Sequence, residues 1–334
     1  MSRRKGQRGD IDFLVTGSSG FIGTALVQRL LAEGFTVQGC DLTAGREPTL
    51  RMDVSIPQEV NAVFARVKPH KVIHLAAVVD DRGAAERFNR VNVEGTRHIV
   101  TACKAHHVAR LVHVSSIVAL GFNPGPRADH RSPLVTTTGV PYFDTKAKSE
   151  QLVRQAMDDA LPATIVRPGD VYGIASDPWV IRPLEMMRRR LPVLIQGGNG
   201  IMAHCAVDNL VEGLFLAATG GEADGQIFQI HDGINDTSYR AYFTALADAA
   251  NVPRPTLSIP LKVGLAMGRT FDFVHRHLGI QPPFTEAAAR YLSRQATYSI
   301  ELAQEKLGYR PVVTLDESLR TMFDTRTNPT GSPS

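Results

Sequence analysis

The sequence predicts an α/β protein: a doubly wound parallel sheet with a smaller, mainly helical C-terminal lobe. Three observations carry this reading. Short apolar runs alternate with amphipathic stretches over the first half of the chain. The first of those runs ends in a glycine-rich turn, "TGSSGFIG". After Gly173 the alternation loosens, and Pro178, Pro183 and Pro192 interrupt the next stretch. Strands covered on both faces read as continuous apolar runs. Strands that alternate with helices assemble into a parallel sheet, with right-handed crossovers between strands.

Taken in order, "IDFLVTG" from Ile11 is a short apolar run with a turn behind it, hence a buried strand. "SGFIGTALVQRLLAEGF" has apolar residues at helical spacing and ends at Gly34. "TVQGCD" is the second strand, and "SIPQEVNAVFARV" a helix with Pro57 in its first turn. "KVIHLAA" is the third strand, "RVNVEGTRHIVTACKAHHV" a long helix and "RLVHVSS" the fourth strand. "YFDTKAKSEQLVRQAMD" is another helix, and "ATIVRPGDVYG" contains a fifth strand. "HCAVDNLVEGLFLAAT" reads as a helix with its entry segment and "GQIFQIHDG" as one more strand. The last eighty or so residues are helical pieces separated by prolines, and no internal repeat is present.

Composition excludes several classes. The chain has 334 residues, 43% hydrophobic and 21% charged, which fits a soluble globular protein with a large core. Much of the formal charge of +4 sits in the leader "MSRRKGQRGD", whose Asp10, with Asp12 beyond it, interrupts any signal-peptide pattern. The leader is read as disordered and the protein as cytoplasmic. Away from it the basic excess is small, so no nucleic-acid partner is expected. Cys40, Cys103 and Cys205 lie far apart, which suits free thiols and gives no metal site. No apolar run is long enough to span a bilayer.

The glycine turn carries the first chemistry. Gly17, Gly20 and Gly23 follow a GxxGxxG spacing between a strand and a helix, the context in which such a turn binds a dinucleotide. Gly17 permits the tight turn, Gly20 lets backbone approach a pyrophosphate, and Gly23 lets the helix pack on the strand. This places Gly17, Ser19, Gly20, Phe21, Ile22 and Gly23 against the cofactor, with the amides at the helix start facing the anion. Asp41 ends the second strand, where an acidic residue can accept hydrogen bonds from the adenosine ribose. A carboxylate there would repel a 2′-phosphate, which favours NAD over NADP; Arg46 nearby in sequence pulls the other way.

With these residues in hand the chain, from about Ile11 to Phe323, resembles the extended short-chain dehydrogenase/reductases, the NAD-dependent epimerase/dehydratase superfamily. The motifs stand in family order: "TGSSGFIG", Asp41, "MDV", "HLAA", "VNVEGT", "HVSS", the Tyr142/Lys146 pair and "RPGDVYG". The resemblance implies a Rossmann domain at 11–175, rejoined by 203–232, and a substrate-binding lobe from 176–202 and 233–324, with a disordered tail at 325–334. It implies that Asp53 and Val54 bracket adenine, and that Leu75, Ala76 and Ala77 form a strip beside the phosphates and ribose. It places Asn92 behind the active site among the cofactor residues, and Pro168 and Val171 along the nicotinamide. It makes Ser116, rather than its neighbour Ser115, the catalytic hydroxyl and Tyr142 and Lys146 the catalytic, cofactor-contacting pair. It also implies a homodimer formed through the "VNVEGTRHIV" helix and the helix carrying Tyr142.

Residues four apart on a helix share a face, so Tyr142 and Lys146 project together. A free phenol titrates near about 10 and is a poor base at neutrality. An ammonium about 4 Å away is worth on the order of 4 kcal/mol at an effective dielectric of about 20, before desolvation takes part of it back. A phenol brought towards neutrality suits the proton of an alcohol, and Ser116 would hold the substrate oxygen against it. The expected reaction takes a secondary alcohol to a ketone.

The substrate is read from departures and from the far end of the chain. Ser116 is followed by Ile117, Val118 and Ala119, without the acidic residues of sugar dehydratases. "SSIVALG" and "GIMAHCAVDNL" match the sugar-nucleotide epimerases poorly. "IPLKVGLAMGRTFDFVHRHLG" from Ile259 and "PPFTEAAARYLSRQATYSIELAQEKLGYRP" look like the 3β-hydroxysteroid and sterol-4-carboxylate dehydrogenase branch, as does "SSI". The expected substrate is a lipophilic 3β-hydroxysteroid or sterol-like alcohol. A sugar-nucleotide 4-epimerase with tightly held NAD, or a reductase of another lipophilic ketone of flavonoid-like or 3-ketoacyl type, are the alternatives. The segment Ile259–Leu278 is read first as a helix packed in the substrate lobe, and second as a peripheral membrane contact. A non-catalytic binding protein on the same scaffold is disfavoured by the intact pair, and a serine hydrolase by the absence of G-x-S-x-G spacing.

Overall fold

The computed structural model describes residues 11–43, 49–79, 83–278 and 284–324, with backbone only at 275, 276 and 278. The leader, Arg46 and the tail from 325 lie outside the described residues. The strands are β1 (Ile11–Thr16), β2 (Val37–Asp41), β3 (Thr49–Arg51), β4 (Pro69–His74), β5 (Arg110–Val114), β6 (Ala163–Pro168), β7 (Asp170–Tyr172), β8 (Leu194–Ile195), β9 (His204–Ala206), β10 (Ile227–Ile230) and β11 (Ser258–Ile259). The helices are α1 (Phe21–Ala32), α2 (Pro57–Val67), α3 (Ala85–Phe88), α4 (Gly95–Ala105), α5 (Pro141–Asp158), α6 (Arg182–Arg188), α7 (Val207–Thr219), α8 (Tyr239–Ala249), α9 (Leu261–Leu278), α10 (Glu286–Tyr291), α11 (Glu301–Leu307) and α12 (Leu315–Phe323).

Seven strands form one parallel sheet in the order β10-β6-β5-β4-β1-β2-β3. The chain starts at β1, winds outward to β3, then returns across β1 to β4 and winds the other way. The direction changes between β1 and β4, where open α/β sheets bind ligands at their carboxyl edge. Successive side chains of β1 enter opposite cores. Phe13 and Val15 pack with Leu26 and Leu30 of α1 and Leu210 and Leu214 of α7. Leu14 packs with Phe64 of α2, Ile99 of α4 and Val153 of α5. Burial on both faces is why the strands read as unbroken apolar runs.

Three local features differ from the pattern in the sequence. The short strand β3 has no counterpart there; three residues carry too little periodicity to register. The helix expected over "RVNVEGTRHIVTACKAHHV" begins earlier as α3 and passes through a π-helical turn, Asn89–Glu94, before α4. The fifth strand divides at Gly169, where β7 leaves the main sheet to pair with β9. A Cβ at Gly169 would lie 2.2 Å from the Ala203 carbonyl oxygen, so the crossing requires glycine.

A third core, with Tyr172, Leu184, Met187, Tyr242, Phe243, Leu246 and Leu319, joins β7 to α6, α8 and α12. Asp170 ties the sheet to this region: it accepts from the Tyr291 hydroxyl (2.7 Å) and pairs with buried Arg294. In α9, Gly268 lies against the backbone of Glu286, where a Cβ would meet the amide nitrogen at 2.5 Å. That side is packed; Val263, Met267 and Phe273 are exposed. No described helix is long and apolar enough to cross a membrane.

Candidate active site

The residues singled out from sequence converge on the carboxyl edge of the sheet. Across the edge from β3 to β6 stand Asp53 and Val54, Asp41, the glycine turn, Leu75 to Ala77, Ser116, and Pro168. They stand in a row at the ends of adjacent strands, the edge along which open α/β sheets carry their ligand groove.

At its centre Gly17 has φ +72°, and a Cβ there would lie 2.8 Å from the Ala76 amide nitrogen. A Cβ on Gly23 would lie 2.1 Å from the Gly17 carbonyl oxygen. The turn, the start of α1 and the 75–77 strip are therefore in direct backbone contact, which only glycine permits. The N-cap of α1 is Gly20, and among the described residues no side chain caps it, so the first-turn amides of Phe21, Ile22 and Gly23 lie beside the turn at the positive end of the helix. Asp41 Oδ2 accepts from the Ser19 amide at 2.9 Å and Oδ1 from Leu42 at 2.7 Å, which fixes the carboxylate at the rim of the turn. Backbone cradle, helix terminus and rim carboxylate fit a nicotinamide dinucleotide.

Supporting residues spend their polar groups inward. Asp53 Oδ1 accepts from the Ser55 amide (2.8 Å), and Val54 is buried against Gly95. Asn92, in the π turn, accepts from the Val78 amide (2.7 Å) and donates to the Val78 carbonyl and Thr145 hydroxyl (both 3.1 Å). Its amide is committed on both sides, so it braces the strip against α5 instead of reaching into the groove. Gly173, after β7, lies against the Phe21 ring. Val171 is half-buried and Pro168 buried beside the end of β5.

Helix α5 starts where its sequence dictates. Pro141 occupies the first turn, and Asp144 accepts from the Thr138 amide (2.6 Å) and the Gly139 amide (3.2 Å). This sets Tyr142 at the groove. Its ring keeps some accessible surface, yet desolvation pushes the phenol up to about 12, opposed by a hydrogen bond with Ser116. The Ser116 oxygen also accepts from the Val118 amide at 3.3 Å. Lys146 is buried; desolvation brings it down to about 8, with Glu150 acting against that fall. Its ammonium donates to the Val114 carbonyl at 2.9 Å. The structure thus unites Ser116 and Tyr142 and sets Lys146 one helical turn below. It corrects the expectation that Lys146 lowers the phenol directly. The shared helix face is present, but the carbonyl ending β5 takes the ammonium and burial dominates the phenol.

Two groups escaped the sequence reading. Glu150 is fully buried on the face of α5 that carries Tyr142 and Lys146; its spacing to Lys146 repeats the four-residue step, a signal available in "KAKSE". The second group is a run of rings leading away from Tyr142. Phe143 lies 6.2 Å from Tyr142, 4.9 Å from Phe122 and 5.6 Å from Tyr291, and Tyr291 lies 6.1 Å from Trp179. Phe122, Trp179 and Tyr291 are each half-buried. They come from three distant segments, and no spacing announces them. Among the described residues no three His, Cys, Asp or Glu side chains are grouped to hold a metal ion.

The fold and the edge residues together define an NAD(P)-dependent oxidoreductase acting on CH–OH groups. Comparison with known proteins gives the family. The NAD dependent epimerase/dehydratase family model matches residues 13–230, and the chain belongs to that family. It is 30% identical to a 2-alkyl-3-oxoalkanoate reductase of Stenotrophomonas maltophilia, over 92% of this chain and 97% of the relative. It is 29% identical to a 3-beta-hydroxysteroid dehydrogenase of Mycolicibacterium neoaurum, over 92% and 88% respectively. The Thermus thermophilus UDP-glucose 4-epimerase structure with NAD shares the fold at a TM-score of 0.76 and 24% identity, covering 96% of this chain and all of that one.

Proposed function

We propose that this enzyme interconverts a secondary alcohol and a ketone on a lipophilic, steroid- or sterol-like substrate, with NAD as the preferred cofactor. The observation that supports the substrate class is the run of rings that leads from Tyr142 through Phe143 to Phe122, Tyr291 and Trp179. An aromatic surround favours a flat apolar body over a hydroxyl-rich sugar, whose polar groups need partners when desolvated. Similarity to a 3-beta-hydroxysteroid dehydrogenase supports the same class. A second reading, reduction of another lipophilic ketone of the 3-ketoacyl type, is favoured by the 30% identity to an oxoalkanoate reductase.

Bound NAD supplies the hydride acceptor at its nicotinamide. The protein's part is positional and protonic. Ser116 holds the substrate oxygen against the Tyr142 hydroxyl; in the reducing direction the protonated phenol donates its proton to the ketone oxygen, and in the oxidising direction the phenolate left behind takes the alcohol proton back. Lys146 keeps a cation beneath the pair while protonated. Because its proton is lost as pH rises through about 8, that help fades on the alkaline side.

The deciding experiment is a panel assay with NAD and NADP against a 3β-hydroxysteroid, a 4-carboxysterol, a 2-alkyl-3-oxo acid and a UDP-hexose, followed at the reduced-cofactor absorbance. Turnover of the steroid or sterol is expected. Turnover of the UDP-hexose alone, with no net redox change, overturns the reading. Cofactor choice has its own test. Asp41→Ala removes charge-assisted hydrogen bonds to the ribose, so NADH affinity falls about 10- to 100-fold while NADPH affinity holds or rises. Unchanged NADH binding by fluorescence titration would remove Asp41 from the cofactor site.

A further inference from the structure

We propose that Glu150 is a positioning residue for the reaction, clamping the end of β5 so that Ser116 and Lys146 are held in register with Tyr142. The inference rests on the assignment of those three residues to proton transfer.

Glu150 has no exposed side-chain surface. Its two oxygens hold three partners from separate elements. Oε2 accepts from the Ser115 hydroxyl at 2.7 Å and from Arg167 Nε at 3.0 Å. Oε1 accepts from Arg167 Nη2 at 2.7 Å and from Arg154 at 2.8 and 2.9 Å. Arg167 belongs to β6 and, through Nη1, also donates to the Asp129 carbonyl at 3.0 Å. One carboxylate therefore fastens α5, β5 and β6 together at the carboxyl edge.

The pattern of attachment is what separates this from an ordinary buried ion pair. The segment Val114–Ser115–Ser116 leaves β5 and enters the groove. Lys146 grips it at the Val114 carbonyl, and Glu150 grips it at the Ser115 hydroxyl. Ser116, the next residue, is left to meet Tyr142. The Ser115 side chain is thereby withdrawn from the groove, which explains how two adjacent serines come to differ in role.

Charge points the same way. The titratable groups that interact with Lys146 are Glu150 on its own helix, His113 from β5 and His74 from β4, and Tyr142 shares its helix face one turn away. Burial, first, holds both histidines neutral; the Lys146 charge adds to it at His74, and His74 and then Lys146 add to it at His113. The phenol is likewise held protonated by burial. Glu150 is the anion among them, and it opposes the loss of the Lys146 proton. Glu150 itself stays ionised because Arg167 and Arg154 offset its desolvation.

Two variants and two readouts test this. In protein carrying 13Cε-lysine, with the Lys146 signal assigned by its loss in Lys146→Met, Glu150→Gln should make Lys146 titrate at lower pH than in the parent. The alkaline limb of kcat, on whichever panel substrate turns over, should move down with it, while KM stays within about twofold. Ser115→Ala leaves every charge in place and removes one hydrogen bond, so kcat should fall about five- to tenfold with KM and the Lys146 titration unchanged. A Lys146 titration unmoved by Glu150→Gln overturns the proposal, as does a Ser115→Ala enzyme with parental kcat. If Glu150→Gln fails to fold, Ser115→Ala decides. If no panel substrate turns over, the substrate reading fails, and the lysine titration, which needs no substrate, still decides this one.

Discussion

Tyr142→Phe should abolish turnover and leave the fold and the cofactor site intact. A positioned general acid or base contributes about 10²- to 10⁴-fold, and the loss in kcat should fall in that range. The substitution removes one oxygen, whose protein partner is Ser116. Ser116 keeps its contact with the Val118 amide (3.3 Å), so no buried group is stranded and thermal stability should stay within about 1 kcal/mol of the parent. NADH affinity, read by fluorescence titration, should be unchanged. Parental kcat in this variant would remove the phenol from the reaction. Lost NADH binding would mean that the hydroxyl removed also holds the cofactor and does not act in proton transfer alone.

Gly23→Ala should cost both stability and cofactor affinity. The new methyl would sit 2.1 Å from the Gly17 carbonyl oxygen and 2.8 Å from the Ser18 Cα. Both neighbours are backbone, so the strain cannot be relieved by a rotamer change. Either α1 lifts from the end of β1 or the turn deforms. Overpacking of this kind costs about 1–3 kcal/mol or more, and either response moves the amides that face the dinucleotide, so NADH affinity should fall more than about tenfold. Gly34→Ala is the control. Gly34 has φ +82°, and no atom lies within 4 Å of the place its methyl would take. Backbone strain is then its main cost, and NADH affinity should hold. Equal loss of affinity in both variants would show that general destabilisation, and not the turn, is being measured.

The site is legible in the sequence to different degrees, for physical reasons. Backbone chemistry leaves a strong trace: Gly17 and Gly23 cannot be replaced without a clash, so the turn declares itself. Local helix geometry also reads well, because the four-residue step from Tyr142 to Lys146 needs no tertiary information. The electrostatic consequence of that step does not follow from it. Burial outweighs the proximity of the charge, and the Val114 carbonyl, from a strand with no sequence link to α5, captures the ammonium. Asn92 shows a similar limit. The resemblance puts it behind the site, but its commitment to Val78 and Thr145 depends on a π turn that replaces regular helix.

Order along the chain was enough to establish the sheet and the anion-facing turn, and to single out Asp41 and the Tyr142/Lys146 pair. Each rests on interactions between near neighbours or on a periodicity that repeats within one element. The run of rings and the Glu150 clamp were decided only in three dimensions. Phe122, Trp179 and Tyr291 come from segments more than fifty residues apart, and Glu150 meets Ser115, just past β5, and Arg167 of β6, which its helix separates in sequence. Such contacts carry no period, because they are set by how elements pack, and packing is a property of the folded chain.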